Sequence, residues 1–199
     1  LVLTDGSKGT WNAAADIPAL ITARQAEQRE AARRLAGPNA GEVVFLGQVD
    51  GELQATLALR GEVARVIRQL RPEVVLGHDP WKRYRLHPDH REAGLLACDG
   101  IVAARDPHFF KEHGLPSHRP AVLLLWEADQ PDHVEDVTGF VDAKLQALEA
   151  HESQFESTMK AVDPDELSAF RDRISARLAG LGAKFGVRNA EVFKRITDL

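Results

Sequence analysis

The sequence predicts an α/β protein in which a mostly parallel sheet is covered by helices on both faces. Two observations carry that prediction. Short apolar runs at residues 42–46, 74–76 and 121–126 alternate with longer stretches of helical periodicity, the order produced by parallel strands joined through crossover helices. Apart from Glu42 the runs are also apolar throughout, with no apolar/polar alternation, as strands buried on both faces are.

Residues 1–4 (Leu-Val-Leu-Thr) read as the end of a strand entering a Gly/Ser/Asn-containing loop. Residues 17–36 are rich in Ala, Glu, Gln and Arg, all good helix formers, and Gly37-Pro38 ends them. Val63, Val66, Ile67 and Leu70 recur at i, i+3, i+4 and i+7, an amphipathic helix closed by Arg71-Pro72. Ala93, Ala97 and Ile101, with Gly94 and Cys98, trace another helical stripe. Val141, Leu145, Leu148, His151 and Phe155 keep helical spacing. In Asp163-Pro164-Asp165-Glu166 an Asp caps, a Pro opens and a Glu stands third, and Leu167, Phe170, Ile174, Leu178 and Leu181 continue that helix's apolar face. Residues 189–196 read as a short terminal helix.

At 199 residues one domain is expected, because two halves would each be marginal. The net charge of −5 argues against nucleic acid or an anionic membrane as partner, since both need a basic excess. The basic run Lys82-Arg83-Tyr84-Arg85 stays compatible with a small anionic substrate. A single cysteine, Cys98, precludes an intramolecular disulfide and fits a reducing, cytoplasmic setting. No apolar run approaches the roughly 18 residues of a membrane span, and no signal peptide is visible. The opening at Leu1, without Met and at the end of a strand, suggests that a segment lies upstream.

Parallel α/β sheets gather their sites beyond the carboxyl ends of the strands. Residues 74–76 deliver the chain to Gly77-His78-Asp79-Pro80 and then to "RYRLHPDHREAG", residues 83–94. His90, Gly94, Ala97 and Ile101 share one helical stripe, so His90 is expected to point inward over the sheet. Two readings are open for this loop. His87 and His90 belong to a metal site, zinc commonly taking neutral imidazole, or Asp89 caps a helix and both rings bond locally.

These residues do not stand alone. Leu3-Thr4-Asp5-Gly6, Arg24 with Glu27, Phe45-Leu46-Gly47, Asp50-Gly51-Glu52, Asp79-Pro80-Trp81, His87-Pro88-Asp89-His90-Arg91, His151-Glu152-Ser153-Gln154 and Ala190-Glu191-Val192-Phe193 follow one another in order. Together they resemble the PIG-L/LmbE-like family of zinc-dependent N-acetylglucosaminyl deacetylases. The resemblance implies a Rossmann-like three-layer sandwich and one PIG-L/LmbE-like domain over residues 1–199, incomplete at its N-terminus. It implies that His90 is a zinc ligand, that His87 polarises the amide or protonates the leaving group, and that Asp89 orients His87. The family's other two ligands and its general base come from an Ala-His-Pro-Asp-Asp motif. That motif does not occur here, and the resemblance places it upstream of Leu1. His78-Asp79 is not expected to replace it.

By the same resemblance Arg24 reaches an anionic or polyhydroxyl part of the substrate, Asp50 accepts a sugar hydroxyl, and His151 supports the site. Read as residues alone, Arg24 and Glu27 could be a surface ion pair, Asp50 a turn residue and His151 a core histidine. Asp5 is expected to cap a turn, and Cys98 to fill core space.

The function expected is a hydrolase removing an N-acetyl or related acyl group from a glucosamine-containing small molecule, or an amidase acting on a thiol conjugate of one. Its cofactor is Zn2+, with Fe2+ also compatible with His and Asp ligands. The partner is an amino-sugar conjugate; a homo-oligomer is left open. The alternative is a non-catalytic sugar-binding or structural member lacking a complete zinc site.

Overall fold

A computed structural model describes residues 1–199. Along the chain run β1 (Val2–Thr4), α1 (Ile17–Ala36), β2 (Phe45–Gln48), α2 (Leu57–Leu70), β3 (Val74–His78), α3 (Pro88–Arg105) and β4 (Val122–Trp126). Then come β5 (His133–Asp136), α4 (Val141–Glu149), α5 (Pro164–Phe185) and β6 (Ala190–Ile196). The chain forms two compact units, Leu1–Gly51 with Glu135–Glu191, and Glu52–Val134 with Val192–Leu199. No helix is long and apolar enough to cross a membrane.

In the first unit β1 and β2 pair in parallel. Asp16 starts α1 by accepting the Ala19 N–H at 3.1 Å, and Gly37, at φ 56°, ends it. Asp163 likewise accepts the Glu166 N–H at 2.9 Å, and the Glu166 carboxylate reaches back to the Val162 N–H at 2.8 Å. The first bond satisfies a donor that an uncapped α5 would leave open, and the second fastens the residue before the cap. Met159, Ala161 and Phe170 are buried together, with Leu148, Phe155, Leu167 and Ile174 against them.

The helical spacing expected through His151 and Phe155 fails. α4 stops at Glu149, and a 3-10 turn over Glu152–Gln154 and a π turn over Phe155–Met159 follow. Glu27 on α1 accounts for the break. Its carboxylate accepts both the N–H and the hydroxyl of Ser153, each at 2.7 Å, so this backbone is bonded to a side chain from α1.

In the second unit β3 and β4 run parallel, in register from Val74↔Val122 to His78↔Trp126. Leu123 and Leu125 on β4, Leu96 and Ile101 on α3, and Val63 and Ala64 on α2 form its buried core. Each fully buried large side chain contributes about 1.5–3 kcal/mol. Small residues set how closely α3 approaches β3. A Cβ on Gly94 would lie 2.5 Å from the His78 carbonyl oxygen, and one on Gly77 would lie 3.0 Å from the Ala97 Cβ. β3 is not buried on both faces as its sequence predicts, for Val74 and Leu76 are exposed; the Gly77 face carries the α3 contact.

The terminal segment is a strand, not the expected helix. Phe193–Ile196 pairs antiparallel with β4, from Trp126↔Phe193 to Leu123↔Ile196, within a sheet ordered β3-β4-β6-β5. The α/β class therefore holds, with a sheet only partly parallel.

Candidate metal-binding site

The carboxyl ends of β3 and β4 stand side by side, His78 opposite Trp126. The Trp126 indole N–H donates to His78 Nδ1 at 2.8 Å, fixing that ring. Asp79, buried at 5% exposure, accepts the backbone N–H groups of Trp81 and Asp129, each at 2.9 Å. One carboxylate thus ties the loop after β3 to the loop after β4. The first of these loops passes through Tyr84 at φ 60° and enters α3 with His87 at the cap and Pro88 at the first helical position. One turn of α3 brings the His90 ring against His78, centroids 4.3 Å apart and planes 11° from parallel. His87 stacks on His90 too, at 4.6 Å and 16°. Gly94 makes this approach feasible, because α3 could not lie so near the end of β3 with a side chain there.

Glu127 follows β4 at φ 51°, a left-handed conformation of the kind that clusters at functional sites when a residue is not Gly. Donor atoms of His78, His90 and Glu127 all lie within 4.8 Å of one another. Two imidazoles and a carboxylate are a donor set that suits a divalent transition metal. A cation is in fact held there by the chain itself. The Arg85 side chain, 6% exposed, places Nη1 2.9 Å from Glu127 Oε2, 3.2 Å from His78 Nδ1 and 3.3 Å from His90 Nδ1.

The charges respond accordingly. Burial, reinforced by His90 and Arg85, pulls His78 down to about 4. Burial, with His87 and Arg85, also lowers His90. Both rings are therefore neutral near pH 7, the form that ligates metal. Burial opposes ionisation of Glu127, but the Arg85 hydrogen bond and charge outweigh it and hold the carboxyl below its usual range.

Of the residues singled out in the sequence, His87, Asp89 and His90 fall in this second unit. Asp89 is buried, and its Oδ1 accepts the Leu53 N–H at 3.2 Å. His90 does not turn fully inward as its stripe suggests. Gly94 and Ile101 are buried but His90 is exposed, because it sits in the first turn of α3, beyond the end of β3.

Arg24, Asp50 and His151 lie in the first unit. Arg24 donates to the carbonyls of Gly6 and Gly9, both at 2.6 Å, clamping that loop. Asp50 accepts the Lys8 N–H at 3.2 Å, and Asp5 accepts the N–H groups of Ser7 and Asp50 as a turn residue does. His151 precedes the 3-10 turn with its Nδ1 buried and unbonded; burial lowers its pKa, although Glu27 pulls the other way.

His78, Glu127 and Arg85 are the residues that sequence reading undervalued. His78 and Glu127 carry a usable signal: each stands at, or one residue beyond, the end of an apolar strand in a parallel pair. The structure brings His78 into the cluster, although it was not expected to act there.

The family model described as "PIG-L: GlcNAc-PI de-N-acetylase" matches residues 1–100. Diacetylchitobiose deacetylase of Thermococcus kodakarensis is 35% identical over 158 residues, 78% of this chain and 58% of that protein. A probable N-acetyl-alpha-D-glucosaminyl L-malate deacetylase 2 of Bacillus anthracis is 28% identical over 108 residues, covering 52% and 44%. The chain thus spans less than two thirds of the length of either relative. Among solved structures, N,N'-diacetylchitobiose deacetylase from Pyrococcus horikoshii superposes with a TM-score of 0.84 at 28% identity, over 98% of this chain and 71% of that one. A family match over half the chain, together with this likeness in fold, places it: the chain belongs to the PIG-L family of de-N-acetylases.

Proposed function

We propose that this chain carries part of the active site of a zinc-dependent hydrolase that removes an N-acetyl or related acyl group from a glucosamine-containing small molecule in the cytoplasm. The amide of a thiol conjugate would be cleaved by the same chemistry. The observation that carries this reading is the His90 ring, neutral and packed between neighbouring imidazoles beside Glu127 at the ends of two parallel strands. The relatives named as deacetylases act on substrates of this chemical class.

In this proposal His90 is a metal ligand. A divalent metal, when bound, supplies Lewis acidity and a water of lowered pKa. His87, exposed at the cap of α3, faces the substrate, hydrogen-bonds the developing oxyanion and passes a proton to the leaving amine. Asp89, buried in the first turn of α3, positions the His87 segment. Arg24, which shapes the loop at residues 6–9, and Asp50, which anchors it at Lys8, are proposed as substrate-binding residues. His151 supports the turn in which it sits. Because the Ala-His-Pro-Asp-Asp motif is not among these 199 residues, full turnover is proposed for a protein that also carries it.

The test is acetate release from N,N'-diacetylchitobiose by the full-length protein. His87→Ala is expected to keep its metal and lose about 10²–10³ in turnover, the usual loss when one electrostatic donor is removed. Full activity in His87→Ala would remove it from the mechanism.

A further inference from the structure

We propose that Arg85 is a built-in competitor for the metal, holding the donor cluster together in the metal-free protein and leaving it when a divalent cation binds. This rests on the reading of His90 as a ligand. The geometry permits no shared occupancy. One guanidinium nitrogen, Nη1, lies 2.9 Å from Glu127 Oε2 and 3.3 Å from His90 Nδ1, and its two hydrogens serve those two acceptors; it also lies 3.2 Å from His78 Nδ1, whose lone pair the nearer Trp126 N–H takes.

Each lone pair serves either an N–H or a metal. If the metal binds His90 through Nδ1, it takes the lone pair that Arg85 now uses. If it binds through Nε2, the neutral ring must carry its proton on Nδ1, which then faces the Arg85 N–H donor to donor. The choice of ring nitrogen therefore makes no difference, and Arg85 loses its bond to His90 either way. Two like charges would also be crowded beside one carboxylate.

Nothing else holds the guanidinium strongly. Glu127 is its one carboxylate partner, at 45% exposure, and the Arg85 Nε is buried without a partner. The side chain belongs to the loop between β3 and α3, next to Tyr84 in its left-handed conformation, and its neighbours Tyr84 and Leu86 are each more than 90% exposed.

The experiment titrates zinc alone into the metal-free, full-length protein against a chelating dye. Arg85→Gln should bind zinc about tenfold or more tightly than wild type, and it should lower the melting temperature of the metal-free form more than that of the zinc form. Equal or weaker zinc binding in Arg85→Gln overturns the proposal. A measurement on the wild type stands if that variant does not fold. Phenylglyoxal labelling of Arg85, read by peptide mass spectrometry, should be slow without zinc and accelerate with it; unchanged or greater protection overturns the proposal. His90→Ala distinguishes the two failures. If it binds zinc as wild type does, or if wild type takes up none, the ligand reading itself has failed and the competition falls with it.

Discussion

Arg68 and Cys98 show how much the second unit depends on single side chains away from the histidines. Arg68 is 3% exposed and has no carboxylate partner. It donates instead to the carbonyls of Ala103, Ala104, Asp106, Phe109 and Phe110 at 2.8–3.2 Å, closing the end of α3 and the loop beyond it. Arg68→Met would leave those carbonyls without their donor, and a loss of roughly 2–3 kcal/mol is expected in a urea titration. Cys98 is a half-buried thiol pushed up to about 11, by burial first and then by Asp99 and Asp79. Ellman's reagent should leave it unmodified in the native protein at neutral pH and react with it after unfolding. His151 offers a pH prediction. Its folded pKa lies below the ordinary 6.5, so above that pH its stabilising effect is complete. As the pH falls the unfolded chain takes up the proton first, and stability is lost. Between about pH 7.5 and about pH 5.5 the urea midpoint of wild type should drop further than that of His151→Gln; equal drops would show that His151 carries no such shift. At this scale the sequence made His87 and His90 conspicuous through their spacing. It marked Glu127 only by its place after an apolar strand and Arg85 only as part of a basic run; their meeting with His90 comes from strand register and from the fold of one loop.

At the scale of elements, α3 against β3 is the contact on which the site depends. Gly94→Ala puts a methyl 2.5 Å from the His78 carbonyl oxygen, an obstacle made of backbone that cannot swing aside. It should cost about 1–3 kcal/mol and separate the His78 and His90 rings, and a crystal structure or ring-current shifts would read the separation. Asp163→Ala, by contrast, removes only the α5 cap and should cost about 1 kcal/mol with the histidine cluster undisturbed. Elements with local signals were legible. α1 matched its expected span and α5 its expected start, because caps, prolines and glycines act through their own backbone. β6 was misread because Ala190 and Phe193 are both buried three residues apart, a helical spacing, while its pairing with β4 is a long-range fact. β5, short and polar at His133–Asp136, carried no periodic signal at all. The early end of α4 was hidden for the same reason, since it depends on Glu27, 126 residues away from Ser153.

At the scale of the molecule, family membership and fold agree, and the candidate metal donors gather where the ends of β3 and β4 meet. The resemblance and the structure give His90 different company. The family pattern pairs it with a His and an Asp from a motif this sequence does not contain, whereas the structure sets it beside His78, Glu127 and the Arg85 guanidinium. His90 is common to both arrangements, and we propose it as the residue through which a metal is held. The most direct test of that claim is the metal content of the full-length protein, wild type beside His90→Ala, after zinc loading and removal of free ion. We predict bound zinc in stoichiometric amount for wild type and none for His90→Ala, with the variant still folded by circular dichroism. A folded His90→Ala that retains the wild-type amount of zinc would contradict the account.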